Sequence, residues 1–137
     1  MINSYNASTQ TLNANEAVAF TTDRIRTGCT AIRSAEGNSF TLTRPGYYYV
    51  AVNADASTSD AAGNVVLELY QNGSAVLGAK ATNYSAAAVN INNLAFSTII
   101  QVRPTCCAVM NATNISVVNT GIASTVTNAN IVITKIA

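Results

Sequence analysis

Residues that could support catalysis are few in this chain of 137 residues. It contains no histidine, which is the most common general base and the base of the usual serine and cysteine triads. Of the 6 carboxylates, only Asp55 and Asp60 are close in sequence, in a stretch expected to form a polar loop. A glycosidase needs two carboxylates on either side of a cleft. The sequence therefore predicts a protein that is not an enzyme and has no cofactor.

The same two carboxylates are the only candidates for a cation site. Hard cations such as calcium accept carboxylate and backbone carbonyl oxygens, so Asp55 and Asp60 could hold one. The simpler explanation of these two acidic residues is that they keep an exposed loop solvated, without binding a cation. We therefore predict no metal site.

Cysteine is the remaining reactive residue type, at Cys29, Cys106 and Cys107. Cys29 could form a disulfide with one of the adjacent pair, and a bridge between neighbours or between chains is also open. The alternative is three buried thiols that pack as small apolar side chains. Three cysteines fall short of a four-ligand zinc site unless chains share it. Without a histidine to activate it, a nucleophilic thiol is not expected.

The composition indicates a folded chain with an unusually neutral surface. Charged residues make up 9% of the chain, against about 25% in an average soluble domain. Hydrophobic residues make up 49% and the net charge is +1, which excludes disorder driven by charge. A surface of amides and hydroxyls suits contact with another protein or a carbohydrate, and low net charge favours association. With 7 basic residues and no cluster of them, nucleic acid is not an expected partner.

Neither insertion into a membrane nor a secretory signal is indicated. No apolar run approaches the ~20 residues of a spanning helix. The stretch 1–10 is polar and lacks the charged and apolar regions of a signal peptide. If the protein ends up outside a cell (extracellular), we expect it to leave by another route, such as cell lysis, assembly into a larger particle or fusion to another chain.

Hydrophobic alternation predicts strands along most of the chain, and no segment has sustained helical spacing. Asn72-Gly73 between two apolar runs predicts a hairpin with a type I′ turn. Turn signals recur about every ten residues, which is typical of a sandwich or barrel. We predict a single domain over 1–137, with 1–10 as an extended N-terminal arm. The predicted strands are Tyr47–Val52, Val65–Tyr70, Val89–Val102, Ile115–Val118 and Asn130–Ile136.

The predicted strand Val89–Val102 has apolar residues on both faces. Leu94, Phe96 and Ile100 share one face, and Ile99 lies on the other. Apolar residues on both faces indicate a strand covered on one side by the core and on the other by a neighbouring chain.

Several motifs resemble those of the C1q and tumour-necrosis-factor (TNF)-like jelly rolls. The stretch Ser39–Tyr48 resembles their Phe-x-Leu-x-x-Pro-Gly-x-Tyr signature. The hairpin at Leu69–Gly73, the strand end Ile99–Val102 and the closing strand Ala129–Ile136 follow in the order of that family. The nearest likeness is to its bacterial and bacteriophage branch, which includes the C-terminal domain of spore-surface collagen-like glycoproteins. Unlike many such relatives, this sequence shows no collagen-like Gly-x-x stalk.

This resemblance implies a two-sheet antiparallel jelly-roll sandwich of about ten strands that forms a homotrimer. Six apolar residues are candidates for its core or for the trimer interface, with a sugar-stacking surface as the alternative for the aromatic ones. Alternation places Tyr48 on the side opposite to its two tyrosine neighbours, so one face of their strand is core. The six candidates are Tyr47, Tyr49, Tyr84, Leu94, Phe96 and Ile100.

The function predicted from the resemblance is assembly, decoration or adhesion, by a non-enzymatic trimer on a phage virion or a bacterial spore or cell surface. Its partners would be other copies of itself, and also other surface proteins or a surface glycan. The alternative is a head of the same fold that binds a carbohydrate or a host receptor through apical loops around Asp55–Gly63.

Overall fold

The computed structural model describes residues 1–104 and 113–137, in which eleven strands and no helix occur. The predicted all-β class is confirmed, with one strand more than the expected ten. The strands are β1 (Ile2–Asn6), β2 (Gln10–Leu12), β3 (Thr22–Arg26), β4 (Ala31–Arg33), β5 (Phe40–Leu42), β6 (Gly46–Thr58), β7 (Gly63–Gln71), β8 (Ser74–Ser85), β9 (Asn92–Val102), β10 (Thr113–Asn119) and β11 (Ser124–Lys135).

The strands form two antiparallel sheets that pack face to face. The six-stranded sheet has the order β3-β1-β11-β6-β9, and β2 also pairs with β11. The five-stranded sheet has the order β4-β5-β10-β7-β8. This is the two-sheet antiparallel sandwich that the sequence predicted.

The core lies between the two sheets and follows the alternation of the strands. In β6 every second side chain is buried, beginning with Tyr48, Val50 and Val52. Leu67 and Leu69 of β7 come from the opposite sheet. Each fully buried aliphatic side chain of this kind stabilises the fold by about 1.5–3 kcal/mol. The hydroxyl of Tyr48 donates to the Arg44 carbonyl at 2.8 Å, so its ring is buried with its polar atom satisfied.

The segment 1–10, predicted as an extended N-terminal arm, contributes β1 and the start of β2 to the six-stranded sheet. Strand β1 lies inside the six-stranded sheet, between β11 and β3, and Ile2 is fully buried. The sequence looks solvated because Asn3, Ser4 and Asn6 are polar, but all three are buried and hydrogen-bonded. The Asn3 amide donates to the Ile131 carbonyl at 3.0 Å, and the Asn6 amide donates to a carbonyl of the segment before β3. These bonds offset the cost of burying amides.

Two further predicted boundaries differ from the structure. The predicted loop from Asp55 is strand as far as Thr58, because Ser57 and Thr58 are buried in register with β11. Only 59–62 separate β6 from β7, so the loop of the alternative function is reduced to four residues. The predicted strand Val89–Val102 begins at Asn92, after a turn that connects the two sheets.

The hairpin between β7 and β8 is confirmed. Asn72 and Gly73 both have positive φ, 51° and 80°, as a type I′ turn requires. The turn thus determines where β8 starts.

An ion pair joins the two sheets at the edge formed by β3 and β4. The Arg33 side chain donates to the Asp23 carboxylate at 2.6 Å, and the Ser4 hydroxyl donates to the same oxygen at 2.7 Å. Burial raises the pKa of Asp23, but the hydrogen bonds from Ser4 and Arg33 and the charges of Arg33 and Arg26 outweigh it and lower this pKa. The pair connects β3, an edge strand of the six-stranded sheet, to β4, an edge strand of the five-stranded sheet.

Substitution of two glycines by alanine is expected to separate backbone strain from steric collision. Gly37 and Gly73 have nearly the same φ, 78° and 80°, so Ala is strained equally at both, by about 1–2 kcal/mol. A Cβ at Gly73 meets nothing within 4 Å, whereas one at Gly37 would collide with the Phe20 carbonyl. We expect Gly37→Ala to lower the free energy of unfolding by at least ~2 kcal/mol more than Gly73→Ala. Urea denaturation of both variants measures this, and equal losses would contradict it.

Candidate functional site

The outward face of the six-stranded sheet carries exposed aromatic and aliphatic side chains. Tyr47, Tyr49 and Ile99 are 46%, 38% and 57% exposed, and Tyr49 lies directly opposite Ile99 across β6 and β9. The next cross-strand row contains Val132 and Ala51. We call these five residues the apolar patch. None of them carries a charge, so the patch can contact another apolar surface without desolvating an ion.

The same face is polar at the other end of β6. Asn53, Asp55, Asn93 and Asn130, together with Tyr5, Ala7, Arg24 and Asn128, line a shallow depression of about 460 Å³. The Asn93 amide donates to the Asn53 side-chain oxygen at 2.6 Å and to the Asp55 carboxylate at 2.9 Å. We call these eight residues the polar patch. Its side chains come from five strands, β1, β3, β6, β9 and β11, and from the residue after β1.

The six predicted core or interface residues are divided between inside and outside. Leu94 and Ile100 belong to the core, and Phe96 is partly buried against it. Tyr47 and Tyr49 are exposed on the sheet face while Tyr48 between them is fully buried, as alternation predicted. Tyr84 lies on β8 of the other sheet and is therefore not part of the apolar patch. Their role in an interface remains a prediction.

A second exposed apolar group lies around the turn from β8 to β9. Tyr84, Val89 and Ile91 are 62%, 85% and 55% exposed. The turn is fixed by the Asn92 amide, which donates to the Tyr84 carbonyl at 3.1 Å, and by the Ser85 hydroxyl, which donates to the Asn90 carbonyl at 3.2 Å. This turn is about as far from Tyr47 as the length of β9 allows, so the two apolar surfaces are separate.

The reactive residues are spread over the molecule. Asp55 lies on the sheet face and Asp60 in the short loop after β6. Within 1–104 and 113–137, no three Asp, Glu, Cys or His residues are grouped so that they could hold a metal ion. Cys29 is exposed between β3 and β4, whereas Cys106 and Cys107 fall outside the described residues, so the disulfide remains a prediction. In the described part of the chain, no helix has the length and apolar character to cross a membrane.

Alternation predicted the outward position of Tyr47 and Tyr49, whereas the patch residues Ala51 and Val132 and the whole polar patch were not predicted. The tyrosines alternate within one strand, and that signal is local. The polar patch depends on the register between strands that are distant in sequence, such as Tyr5 with Asn130 and Asn130 with Asn53. A period-two spacing of Asn53 with Asp55, and of Asn128 with Asn130, was the available signal.

Comparisons of fold connect this chain to known structures. No protein-family model matches the sequence, and no curated protein matches it. Eiger TNF from S. frugiperda superposes with a TM-score of 0.66 at 12% identity, over 99% of this chain and 92% of that chain. The PRD1 vertex protein P5 gives 0.60 at 13% identity, over 99% and 96%. Murine APRIL gives 0.57 at 8% identity, over 98% of both chains.

These likenesses show the fold. The chain has the TNF/C1q-like jelly-roll fold that the Phe-x-Leu-x-x-Pro-Gly-x-Tyr stretch implied. At identities of 8–13%, the matches carry the architecture only.

Proposed function

We propose that this chain is a homotrimeric structural and interaction module without catalytic activity, displayed on a phage virion or on a bacterial spore or cell surface. The observation that carries the proposal is the exposed apolar patch, with Tyr49 and Ile99 side by side on an otherwise regular sheet face. Contiguous exposed apolar side chains on a folded domain mark an interaction site. Tyrosine is also enriched in protein interfaces.

The position of the apolar surfaces supports a closed ring of copies. A two-fold dimer buries the same patch on both partners, whereas a ring buries two different patches against each other. This chain presents two separate patches, one on the six-stranded sheet and one at the β8–β9 turn that includes Tyr84 and Val89. The TNF-like fold is typically trimeric, which supports three as the number of copies.

Display on a particle is supported by the fold and by the surface chemistry. The vertex protein P5 of phage PRD1 has this fold over 99% of the present chain. Only 9% of the residues are charged, and amides and hydroxyls cost less to desolvate against another protein than charged groups do. The partners on the particle would be other surface proteins or a glycan, and the domain over 1–137 would act as one unit.

The native mass in solution tests the proposal, measured by light scattering with and without reductant. We expect about 43 kDa in both conditions, for three chains of 14.2 kDa each. A mass of one chain would overturn the trimer and the display function built on it. A trimer that dissociates in reductant would support the proposed trimer, but with a disulfide of Cys29, Cys106 or Cys107 as the link between chains.

A further inference from the structure

Two opposite charges in the polar patch have no partner of opposite charge in the described part of the chain. Arg24 lies on the edge strand β3, and Asp55 lies on β6. In 1–104 and 113–137 the ion pair that occurs is Arg33 with Asp23, which belongs to a different cluster. Yet Arg24 and Asp55 line the same depression. The two charged side chains therefore lie on opposite sides of the same depression.

The distance between their strands keeps the two charges apart within one chain. Strands β1 and β11 separate β3 from β6. At a spacing of about 4.8 Å between neighbouring strands, the two backbones are roughly 14 Å apart. An ion pair requires the charged atoms to approach within about 4 Å. The other residues that line the depression are neutral and cannot compensate either charge.

Both charged side chains are already held in place. The guanidinium carbon of Arg24 lies 4.9 Å from the centre of the Tyr5 ring. The Asn93 amide donates to one carboxylate oxygen of Asp55, and within 1–104 and 113–137 the second oxygen accepts no hydrogen bond. Groups that are ordered before association lose less conformational entropy when they pair. Arg24 can also use its planar fork of donors on a carboxylate.

The proposed trimer would cover this sheet face, and a covered charge without a counter-charge is strongly destabilising. In a ring, two different surfaces of neighbouring protomers meet, so the part of one protomer that carries Arg24 can contact the part of the next that carries Asp55. We propose that Arg24 of one protomer pairs with Asp55 of the next. The partner that binds the polar patch is therefore a second copy of this chain. This inference rests on the proposed homotrimer.

Charge reversal with a double variant tests the pair. Arg24→Glu and Asp55→Arg each place like charges at every interface, and we expect the concentration at which half of the trimer dissociates to rise about 100-fold or more. The double variant Arg24→Glu with Asp55→Arg restores opposite charges and should return to within about tenfold of the wild type. Analytical ultracentrifugation over a dilution series measures these midpoints, and circular dichroism checks folding.

Two single variants make the same changes of charge elsewhere. These variants are Lys80→Glu on β8 of the other sheet and Glu36→Arg in the turn after β4, and both side chains are exposed. We expect both to leave the midpoint unchanged.

The outcomes distinguish the pair from the trimer. A wild-type monomer overturns the proposed function. A wild-type trimer whose midpoint is unaffected by either reversal, or a double variant no better than the single ones, overturns the pair and leaves the trimer standing. If a reversed variant does not fold, the neutral variants Arg24→Gln and Asp55→Asn decide, since each removes one partner.

Discussion

Tyr49→Asp is expected to convert the trimer into a folded monomer. In one chain the Tyr49 side chain is 38% exposed and makes no contribution to the core between the sheets. Its loss should therefore change the free energy of unfolding of a single chain by less than about 1 kcal/mol. In the trimer the same position would hold a carboxylate in a covered surface beside Ile99 and Val132, without a basic neighbour in the apolar patch. Burying such a charge unpaired costs several kcal/mol at each of three interfaces.

Light scattering of Tyr49→Asp measures the mass, and circular dichroism confirms that the strands remain. Tyr70→Asp is the matched control, because Tyr70 is a half-buried tyrosine on the outward face of the five-stranded sheet, opposite Ser116. We expect this control to remain trimeric. If Tyr49→Asp also remained a trimer, the apolar patch would not be the interface.

Asn119→Asp is expected to be the most destabilising isosteric change in the described core. The Asn119 amide nitrogen donates to the carbonyls of Leu12, Asn13 and Ile122, at 3.3, 3.3 and 2.8 Å, and its oxygen accepts from the Gly121 amide at 3.1 Å. The residue is fully buried at the end of β10. A carboxylate would direct an oxygen at three carbonyl oxygens, which costs about 3–5 kcal/mol at neutral pH.

The effect of Asn119→Asp should depend on pH in a defined direction. Burial and the facing carbonyls raise the pKa of the new carboxyl in the folded state above its unfolded value of about 3.9. Below the unfolded pKa the new carboxyl is protonated in both the folded and the unfolded state. The free energy of unfolding is then lowered least, because a protonated acid can donate one hydrogen bond. The loss grows as the pH rises from the unfolded to the folded pKa. Urea denaturation between pH 3 and 7 measures this, with Asn64→Asp, at an exposed asparagine, as the control. A loss that does not vary with pH would contradict the argument.

The parts of the fold that could be predicted are those with a local pattern. Strands β6, β7 and β9 are rich in β-branched and aromatic residues, and Asn72-Gly73 specifies its own turn, so neighbouring residues contain the information. Strands β1 to β4 were missed because they are short and rich in Ser, Thr, Asn and Arg. Burial of Asn3 or Ser4 becomes favourable only when a distant strand supplies the hydrogen-bond partner, and no local pattern encodes that.

The candidate site likewise contains a part that a local pattern predicts and a part that depends on pairing between distant strands. Exposure of Tyr47 and Tyr49 follows from the buried Tyr48 between them, so one strand was sufficient. The approach of Arg24 and Asp55 to one depression requires the order and register of four strands, which the sequence alone did not provide. The outward position of the tyrosines was therefore predictable, and the neighbours that complete each patch were not.

The central position of β11 also sets the order of events during synthesis. This strand pairs with β1, β2 and β6, so residues near the beginning of the chain, such as Ile2, wait for Ile133 as their partner. Contacts between such distant residues close large loops and make folding slow. Until β11 has left the ribosome, β6 lacks its hydrogen-bonded neighbour on one side and Ile2 lacks its partner Ile133. The six-stranded sheet can therefore close only after β11 has been synthesised, and until then the open edges of β1 and β6 are exposed to mispairing between nascent chains.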